Sequence, residues 1–240
     1  MLKALFREFT NIFLPRLCAG CDKPLAFDEE YVCLGCLLRL VPVSRTDCEK
    51  VLLPVLDRLE CEPGPVASWL RYRPNDVGSE IIKAIKYRRR ARMGTQLGRM
   101  FARELLARPE YNDGTSPAPS SIDVLLPIPL HWTKEVRRGY NQTFRIALGI
   151  AEVLGAQVAH NLVASRPHAT QTRRTHAERA ENVRGIFAVE FPHELDGLNV
   201  ALVDDVVTTG ATMTEAVLAL ARSGARPASV GVLSLGLANG

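Results

Sequence analysis

The spacing of apolar and polar positions along the chain predicts an alternation of helices and strands. Apolar residues recur at helical intervals over 2–14, 77–87, 95–107, a stretch ending near 154, and 213–222. Short apolar or β-branched runs predict strands at 66–72, 122–128, 162–164, 186–189, 200–203 and 230–235. The run at 200–203 has the composition of a strand buried on both faces of a parallel sheet. We therefore expect an α/β fold with a mostly parallel sheet flanked by helices.

Proline and cysteine positions divide the chain into predicted modules. Residues 1–43 are expected to form a helix and a metal-binding module, residues 44–65 a connector, and residues 66–240 the α/β domain. The N-terminal helix lacks the cationic polar face of helices that bind membrane surfaces, so we expect it to pack on the protein. The apolar runs are far shorter than the ~18 residues of a membrane span. No membrane insertion is predicted.

The composition is that of an ordinary soluble globular protein. The chain of 240 residues is 47% hydrophobic and 23% charged. Its formal net charge of +4 is only mildly basic, so the charge does not demand a dedicated nucleic-acid binder. Lys3, Arg7 and Glu8 interrupt any signal-peptide core, and we expect a cytoplasmic protein.

Four of the six cysteines have the Cys-x-x-Cys spacing of metal ligands: Cys18, Cys21, Cys33 and Cys36. Four thiolates would close a tetrahedral Zn²⁺ site that is structural rather than catalytic, and the segment 25–32 between the pairs is long enough for a small hairpin. Disulfides, unligated buried thiols or an iron–sulfur cluster are the alternatives. Cys48 and Cys61 have no partner at this spacing and are expected to be incidental thiols.

The strand at 200–203 leads into two acids and then into a loop of small residues made of Thr208, Thr209, Gly210, Ala211 and Thr212. Unpaired N–H groups and the helix dipole would point at the same spot there, which makes an anion site. Asp204 and Asp205, two carboxylates beside such a cradle, suit ribose hydroxyls, a divalent cation or both. The alternative is a strand–turn–helix in which the acids only cap the helix.

Other segments could add groups for an anion. The strand at 122–128 ends in a proline-punctuated turn made of Pro127, Ile128 and Pro129. The prolines would fix the backbone and leave nearby N–H groups for an anion. A basic run is either a solvated face or an anion-facing patch, and it consists of Lys83, Lys86, Tyr87, Arg88, Arg89, Arg90 and Arg92. The cationic stretch 166–184 has no apolar face over its first half, so we expect a mobile loop that closes over an anionic substrate.

The segment 199–215 resembles the ribose 5-phosphate loop of the type I phosphoribosyltransferases. That family's pattern is four apolar residues, two acids, two apolar residues and Thr-Thr-Gly-x-Thr, and every position matches. The resemblance implies that Asp204 and Asp205 bind the ribose hydroxyls of phosphoribosyl pyrophosphate, with Mg²⁺, and that 208–212 wraps its 5′-phosphate. It also places the 127–129 turn where that family has its pyrophosphate loop.

The motifs of the whole chain, taken in order, are similar to those of the ComF family, phosphoribosyltransferase-like proteins tied to DNA uptake in natural competence. They are the two cysteine pairs, Lys86-Tyr87, Leu126-Pro-Ile-Pro-Leu-His131, Arg138-Gly-Tyr-Asn-Gln142, Gln171-Thr-Arg173, Glu178-Arg179, Asn182-Val-Arg-Gly-Ile-Phe187 and the loop after the aspartates. Some members have a second cysteine knuckle, which 48–64 does not reproduce, so a second zinc is not expected.

The resemblance implies two functions of different classes. One is a phosphoribosyltransferase with an unidentified acceptor, whose catalytic residues would be Asp204, Asp205, Arg138 and Arg174. The arginines, with Arg173 and Arg179, would neutralise the leaving pyrophosphate. The other is a non-catalytic, zinc-bearing adaptor that contacts single-stranded DNA or a DNA-translocating competence helicase through basic clusters at 86–92, 137–138 and 173–174. Aromatic residues make up only 6% of the chain, which weighs against a primary single-strand binder.

Overall fold

A computed structural model of the chain describes residues 15–87, 91–115, 117–130, 135–136, 138–164 and 185–238. Several predicted features lie outside the described residues: the helix over 2–14, residues 88–90 of the basic run, His131, Arg137 and the cationic stretch 166–184. The predictions made for them stay predictions. The described part contains the cysteine pairs, both aspartates and the loop that follows them.

The central sheet is built from parallel strands. The strands of the described residues are β1 (Glu62–Tyr72), β2 (Val124–Pro127), β3 (Gln157–Val158), β4 (Leu162–Ala164), β5 (Phe187–Val189), β6 (Asn199–Val207) and β7 (Ser229–Ala238). Five of them form one sheet in the order β1-β7-β6-β2-β3, and every neighbouring pair is parallel. β4 and β5 pair antiparallel in a separate two-stranded sheet. The carboxyl ends of β2 and β6 therefore meet at the same end of the sheet.

Helices cover both faces of this sheet. Those of the described residues are α1 (Leu34–Leu37), α2 (Arg45–Leu56), α3 (Val77–Tyr87), α4 (Ala91–Ala107), α5 (Gln142–Leu154) and α6 (Ala211–Ser223). One core contains residues of α3, α4 and α5 together with Ala201 and Val203 of β6. The opposite core contains residues of α2 and α6 together with Val200 and Leu202. Because successive residues of a strand face opposite sides, β6 supplies alternate side chains to the two cores.

Two glycines let α4 and α5 cross at close range. A Cβ at Gly98 would lie 2.2 Å from the carbonyl oxygen of Ile146, and a Cβ at Gly149 would lie 1.9 Å from that of Thr95. Neither position can accept a larger residue without moving a helix, so the glycines fix the crossing. The crossing in turn sets the place of Gln142, the first residue of α5.

The stretch expected to be a connector contains a helix. α2 begins after Ser44, whose Oγ accepts the N–H of Asp47 at 3.2 Å, and its Leu52 is fully buried. The helix contains Pro54 and has a weakly amphipathic sequence, so its pattern does not stand out from that of a loop. β1 also begins earlier than predicted, at Glu62. The boundaries of the three modules stay a prediction.

Other predicted elements exist with shifted bounds. α4 begins at Ala91, and β6 continues through both aspartates to Val207 because it stays in register with β7 as far as Leu237. The hairpin expected over 25–32 does not form: the described residues there make turns, beside a single bridge between Leu17 and Pro24. The fold class is confirmed as a mostly parallel α/β sheet with a small N-terminal four-cysteine module. None of the described helices is both long enough and apolar enough to cross a membrane.

Candidate functional site

The four paired cysteines converge on one point of the N-terminal module. Their Sγ atoms all lie within 4.8 Å of one another, and the Sγ atoms of Cys21 and Cys33 are 3.8 Å apart. Cys18 and Cys36 are buried, and the other two are half-buried. Zn–S bonds of about 2.3 Å in a tetrahedron would separate the sulfurs by about 3.8 Å, so the cluster has the right size for Zn²⁺.

The backbone around Cys18 prepares its sulfur to bind a metal. The N–H groups of Gly20 and Cys33 donate to Cys18 Sγ at 3.4 Å and 3.3 Å. Burial opposes the thiolate, but the backbone N–H groups lower the pKa of Cys18 to about 7. Burial raises the pKa of Cys36, which a bound cation would reverse. Four sulfurs leave no open ligand position, so the arrangement suits a structural ion.

Asp204 and Asp205 lie near the carboxyl end of β6 and are both buried, with 9% and 5% of their surface exposed. Their surroundings nevertheless differ. Asp204 lines a small concavity together with residues 206–213. Asp205 instead contacts side chains of α3 and α5. The two adjacent carboxylates therefore belong to different environments.

Both carboxylate oxygens of Asp205 are engaged. Lys86 Nζ lies 3.0 Å from Oδ1, and Gln142 Nε2 donates to Oδ2 at 2.8 Å. Arg138 Nη1 donates to Oε1 of Gln142 at 2.8 Å. Burial disfavours the charge of Lys86, but the carboxylates of Asp205 and, to a lesser extent, Asp204 together outweigh burial and raise the pKa of Lys86. Lys86 therefore stays protonated at neutral pH and holds Asp205 as one half of a buried ion pair.

The Asp204 carboxyl group receives no hydrogen bond or ion pair from a described side chain. Its Oδ1 accepts the N–H of Asp205 at 2.7 Å, and no other hydrogen bond reaches its carboxyl group from the described residues. Burial, together with the nearby Asp205 charge, raises the pKa of Asp204 to about 8. Hydroxyl donors or a cation in the concavity would favour the charged form of Asp204.

The loop after β6 leads into α6 at Gly210. Gly210 has a φ of +74°, and a Cβ there would lie 3.3 Å from Val55 Cγ2, so the position favours glycine. Gly210 is the N-cap of a 13-residue helix, and no described side chain caps it. Apart from a long 3.5 Å contact from the Ala211 N–H to Thr209 Oγ1, the first N–H groups of α6 remain available to an anion. The concavity formed by this loop and Asp204 measures ≈ 30 Å³.

The turn of Pro127, Ile128 and Pro129 lies where β2 ends. The N–H of Ile128 donates to the carbonyl oxygen of Val203 at 2.8 Å, and its carbonyl oxygen accepts from the Thr143 hydroxyl. This backbone is therefore engaged within the protein rather than left for an anion. Both prolines line a cleft of ≈ 590 Å³ between the sheet, α5 and β4. Contact of the turn with a ligand stays a prediction.

The structure brings together residues that the sequence analysis named separately. Arg138, predicted to be catalytic, reaches Asp205 through Gln142, whereas Arg174 lies outside the described residues. In the basic run, Lys83 pairs with Glu80 at the surface, as a solvated face would, while Lys86 faces Asp205. The sequence contained one signal for the contacts of Asp205: Lys86 and Gln142 both fall in motifs shared with the ComF family.

Comparison with known proteins places these observations in context. No protein-family model matches the chain. The DNA utilization protein YhgH of Salmonella typhimurium is 30% identical over 227 residues, which cover 90% of this chain and 96% of that protein. Competence protein F of Haemophilus influenzae is 33% identical over 99 residues, which cover 39% of this chain and 42% of that protein.

Among solved structures, the chain is similar to glutamine phosphoribosylpyrophosphate amidotransferase from B. subtilis, determined in complex with ADP and GMP. The two are 23% identical with a TM-score of 0.38, over 61% of this chain and 26% of that one. The relation to YhgH spans nearly the full length of both proteins, and the relation to Competence protein F spans part of each. The chain belongs to the ComF family, with the DNA utilization protein YhgH and Competence protein F as relatives.

Proposed function

We propose that this protein binds phosphoribosyl pyrophosphate, or a related ribose 5-phosphate, at the carboxyl end of β6 and serves the uptake or use of DNA. The proposal depends on one observation: Asp204 and the start of α6 line the same concavity. The N-terminus of α6 suits a phosphate, and the carboxylate accepts hydrogen bonds from sugar hydroxyls. The names of the relatives support DNA utilization as the process served.

Mg²⁺ would bind beside Asp204 together with the phosphates of the ligand. It prefers oxygen ligands and is commonly bound by one or two carboxylates together with substrate phosphates. Asp204 has a carboxylate oxygen with no hydrogen bond from the described residues, so Asp204 is the side chain that would hold the ion. When bound, the ion would offset part of the charge of the pyrophosphate.

In the enzymatic form of the proposal, the C1–O bond of phosphoribosyl pyrophosphate breaks, and pyrophosphate leaves with the bonding electrons. A nucleophile then bonds to C1. The part of this chain is to position the sugar and to offset the charge of the leaving group. Arg138 lies close to the aspartates through Gln142, and we propose Arg174 for the same electrostatic role.

Isothermal titration with phosphoribosyl pyrophosphate and Mg²⁺ tests this function. We expect binding by the wild-type protein and an affinity lower by about tenfold or more in Asp204→Asn, because a hydrogen bond to a charged group is lost. Asp57→Asn changes an exposed aspartate at the end of α2 and should bind as the wild type does. Equal binding by wild type and Asp204→Asn would contradict the proposal.

A second function, a non-catalytic adaptor that contacts single-stranded DNA, is favoured by arginines beside the cysteine module. Arg92, Arg99 and Arg145 line a pocket of ≈ 260 Å³ together with Tyr31. Arg99 is paired with Glu152, whereas the other two form no ion pair with the described residues. Arg92 and Arg145 could therefore contact phosphates, and Tyr31 offers a ring on which a base could stack.

A gel-shift titration with single-stranded DNA at several salt concentrations tests this second function. We expect the wild-type protein to bind with an affinity that falls steeply as salt rises. The double variant Arg92→Ala/Arg145→Ala should bind more weakly and with a smaller salt dependence, because it makes fewer phosphate contacts. Arg58→Ala, an exposed arginine elsewhere on the surface, is the control. No binding at low salt, or binding that salt does not affect, would contradict it.

We also propose that Zn²⁺ is the ion of the cysteine cluster and that the protein works in the cytoplasm. Four convergent thiols, none of them in a disulfide, are what a metal site in a reducing compartment requires. The ion would join both pairs of cysteines and so stabilise a module that has little apolar core of its own.

A further inference from the structure

Exposed apolar side chains are concentrated in the cysteine module. Five of the eight large apolar side chains that are exposed among the described residues lie within 17–41. Leu34 and Leu38 are the most exposed of these five, by 61% and 78%. The N–H of Leu38 donates to the carbonyl oxygen of Leu34 at 3.0 Å, so both side chains lie on one face of the turn that α1 forms.

Two charged residues bring Phe27 to the same part of the module. The Arg16 guanidinium donates to the carbonyl oxygen of Glu29 at 2.7 Å and to that of Phe27 at 3.3 Å. The Glu29 carboxylate accepts the N–H of Leu34 at 2.7 Å. Phe27, which is 59% exposed, therefore belongs to a turn that is fastened to the start of α1. We call Phe27, Leu34 and Leu38 the apolar patch of the module.

The segment that precedes the module joins it beside this patch. The described chain starts at Pro15, and the carbonyl oxygen of the next residue, Arg16, accepts the N–H of Leu25 at 2.8 Å, two residues before Phe27. Residues 2–14 lie outside the described part, but their apolar positions recur at helical spacing: Leu2, Leu5, Phe6, Phe9 and Phe13. As a helix this segment would be about 20 Å long, enough to reach across α1.

The direct connection favours this segment over a separate molecule as the occupant of the patch. Residues 2–14 are joined to the module without a linker, so their effective concentration at the patch is far above that of a second copy of the chain. Their sequence also lacks the cationic polar face of helices that bind lipid surfaces. A contiguous apolar surface beside a tethered apolar stripe is most simply covered by that stripe.

We propose that residues 2–14 pack as an amphipathic helix on the apolar patch, with their leucines and phenylalanines against Phe27, Leu34 and Leu38. The patch is thereby an intramolecular docking surface. Since α1 begins directly after Cys33 and contains Cys36, the docked helix adds apolar contacts to one of the two cysteine pairs. The N-terminal segment and the sulfur cluster thus stabilise the same short helix.

Hydrogen exchange of the full-length protein, followed by mass spectrometry of peptides from 1–14, tests this packing. We expect slow exchange in the wild type. Exchange should be faster by about tenfold or more in Leu34→Ser/Leu38→Ser, because lost apolar contacts ease local opening. Leu106→Ser changes a side chain of α4 that is 37% exposed and should leave exchange of 1–14 unchanged. Slow exchange of β6 in all three proteins shows that the sheet domain is folded.

A reciprocal variant separates direct packing from a general weakening of the module. Phe6→Ser/Phe9→Ser should speed exchange of 1–14 as much as the patch variant does. Combining the two pairs of substitutions should add little further effect, because both remove the same contact. Fully additive effects would mean that the two sets of side chains do not meet, which would overturn the proposal.

Other outcomes would also overturn it. Exchange of 1–14 in the wild type at the rate of an unstructured peptide would show that the segment does not dock. Slow exchange that Leu34→Ser/Leu38→Ser leaves unchanged would place the segment on another surface. Slow exchange that depends on protein concentration would indicate a contact between two copies. Slow exchange only in the presence of phosphatidylglycerol and phosphatidylethanolamine vesicles would indicate a lipid contact.

Discussion

The cysteine module and the carboxyl end of β6 are organised in opposite ways. In the module, four identical side chains converge on one point, while apolar residues around them stay exposed: Leu34 by 61% and Leu38 by 78%. At the carboxyl end of β6, two identical side chains diverge, and apolar cores cover both faces of the strand that holds them. The proposed ion would join the four sulfurs of the module, whereas Asp205 is held by Lys86 and Gln142, which are groups of the protein itself.

The difference shows what each region can tolerate. Ala19, Leu25 and Val32 of the module pack in the core of α3, α4 and α5, and loss of the proposed metal would remove the folding free energy that its binding adds to these contacts. A site built on a central strand instead loses function by small displacements of a few groups, while the fold persists. Four predictions test this contrast, from the largest expected effect to the smallest.

Replacing a metal ligand should have the largest effect and should stay within the module. Cys36→Ser removes a buried sulfur, so we expect loss of the bound zinc and of roughly 10 kcal/mol of metal-binding free energy. Zinc content per chain and limited proteolysis of residues 15–43 measure this. Cys61→Ser should keep the zinc. Full zinc content in Cys36→Ser would refute the four-sulfur site.

Removing the cation that holds Asp205 should destabilise the sheet domain by an intermediate amount. Lys86→Met leaves a buried carboxylate without its charged partner, and we expect a loss of about 3 kcal/mol in the free energy of unfolding. Lys83→Met breaks an exposed pair on the same helix and should cost far less, because solvent screens that pair. Urea titrations compare them; equal costs would mean that Asp205 does not depend on Lys86.

Asp204 should make stability fall as pH rises. Its raised pKa means that the folded protein binds a proton which the unfolded chain has released, so the stabilisation is complete below about pH 4 and is lost as pH approaches about 8. Asp204→Asn should remove this slope and gain about 1–2 kcal/mol at pH 8. Thermal unfolding from pH 5 to pH 9 measures it. A parallel pH profile in the two proteins would contradict the burial of this carboxyl group.

Two glycines with the same backbone strain separate stability from ligand binding. Gly210 has a φ of +74° and Gly155, at the end of α5, a φ of +76°. Alanine at either position should cost about 1 kcal/mol. Only Gly210→Ala should also weaken phosphoribosyl pyrophosphate, because its Cβ adds a contact with Val55 at the phosphate loop. Equal binding by both variants would show that the loop does not hold the phosphate.

Local motifs were predictable from the sequence, whereas the network around them was not. The spacing of the cysteines and the strand–loop–helix at 199–215 are short-range patterns; the cysteines converge, and the strand, loop and helix form, with the strand longer and the helix earlier than expected. The contacts of Asp205 join α3, α5 and β6, and nothing in the sequence spacing indicates that Lys86 and Gln142 meet there. α2 was missed because packing on β1, rather than its own periodicity, maintains it.

The two faces of β6 explain why adjacent acids, which the sequence led us to expect to act alike, have different surroundings. Sequence shows two neighbouring carboxylates, and only the paired strands reveal which face each one occupies. Asp204 falls on the side of the loop and Asp205 on the side of α3 and α5. Neighbouring side chains of any strand point to opposite faces. Whether both can contact one ligand depends on which groups cover each face.

The most direct test is a crystal structure of the protein with ribose 5-phosphate bound. We predict the phosphate at the N-terminus of α6, beside residues 208–212, with a ribose hydroxyl on the carboxylates at the end of β6. A ligand bound away from this loop, with no sugar hydroxyl on the aspartates, would contradict the account.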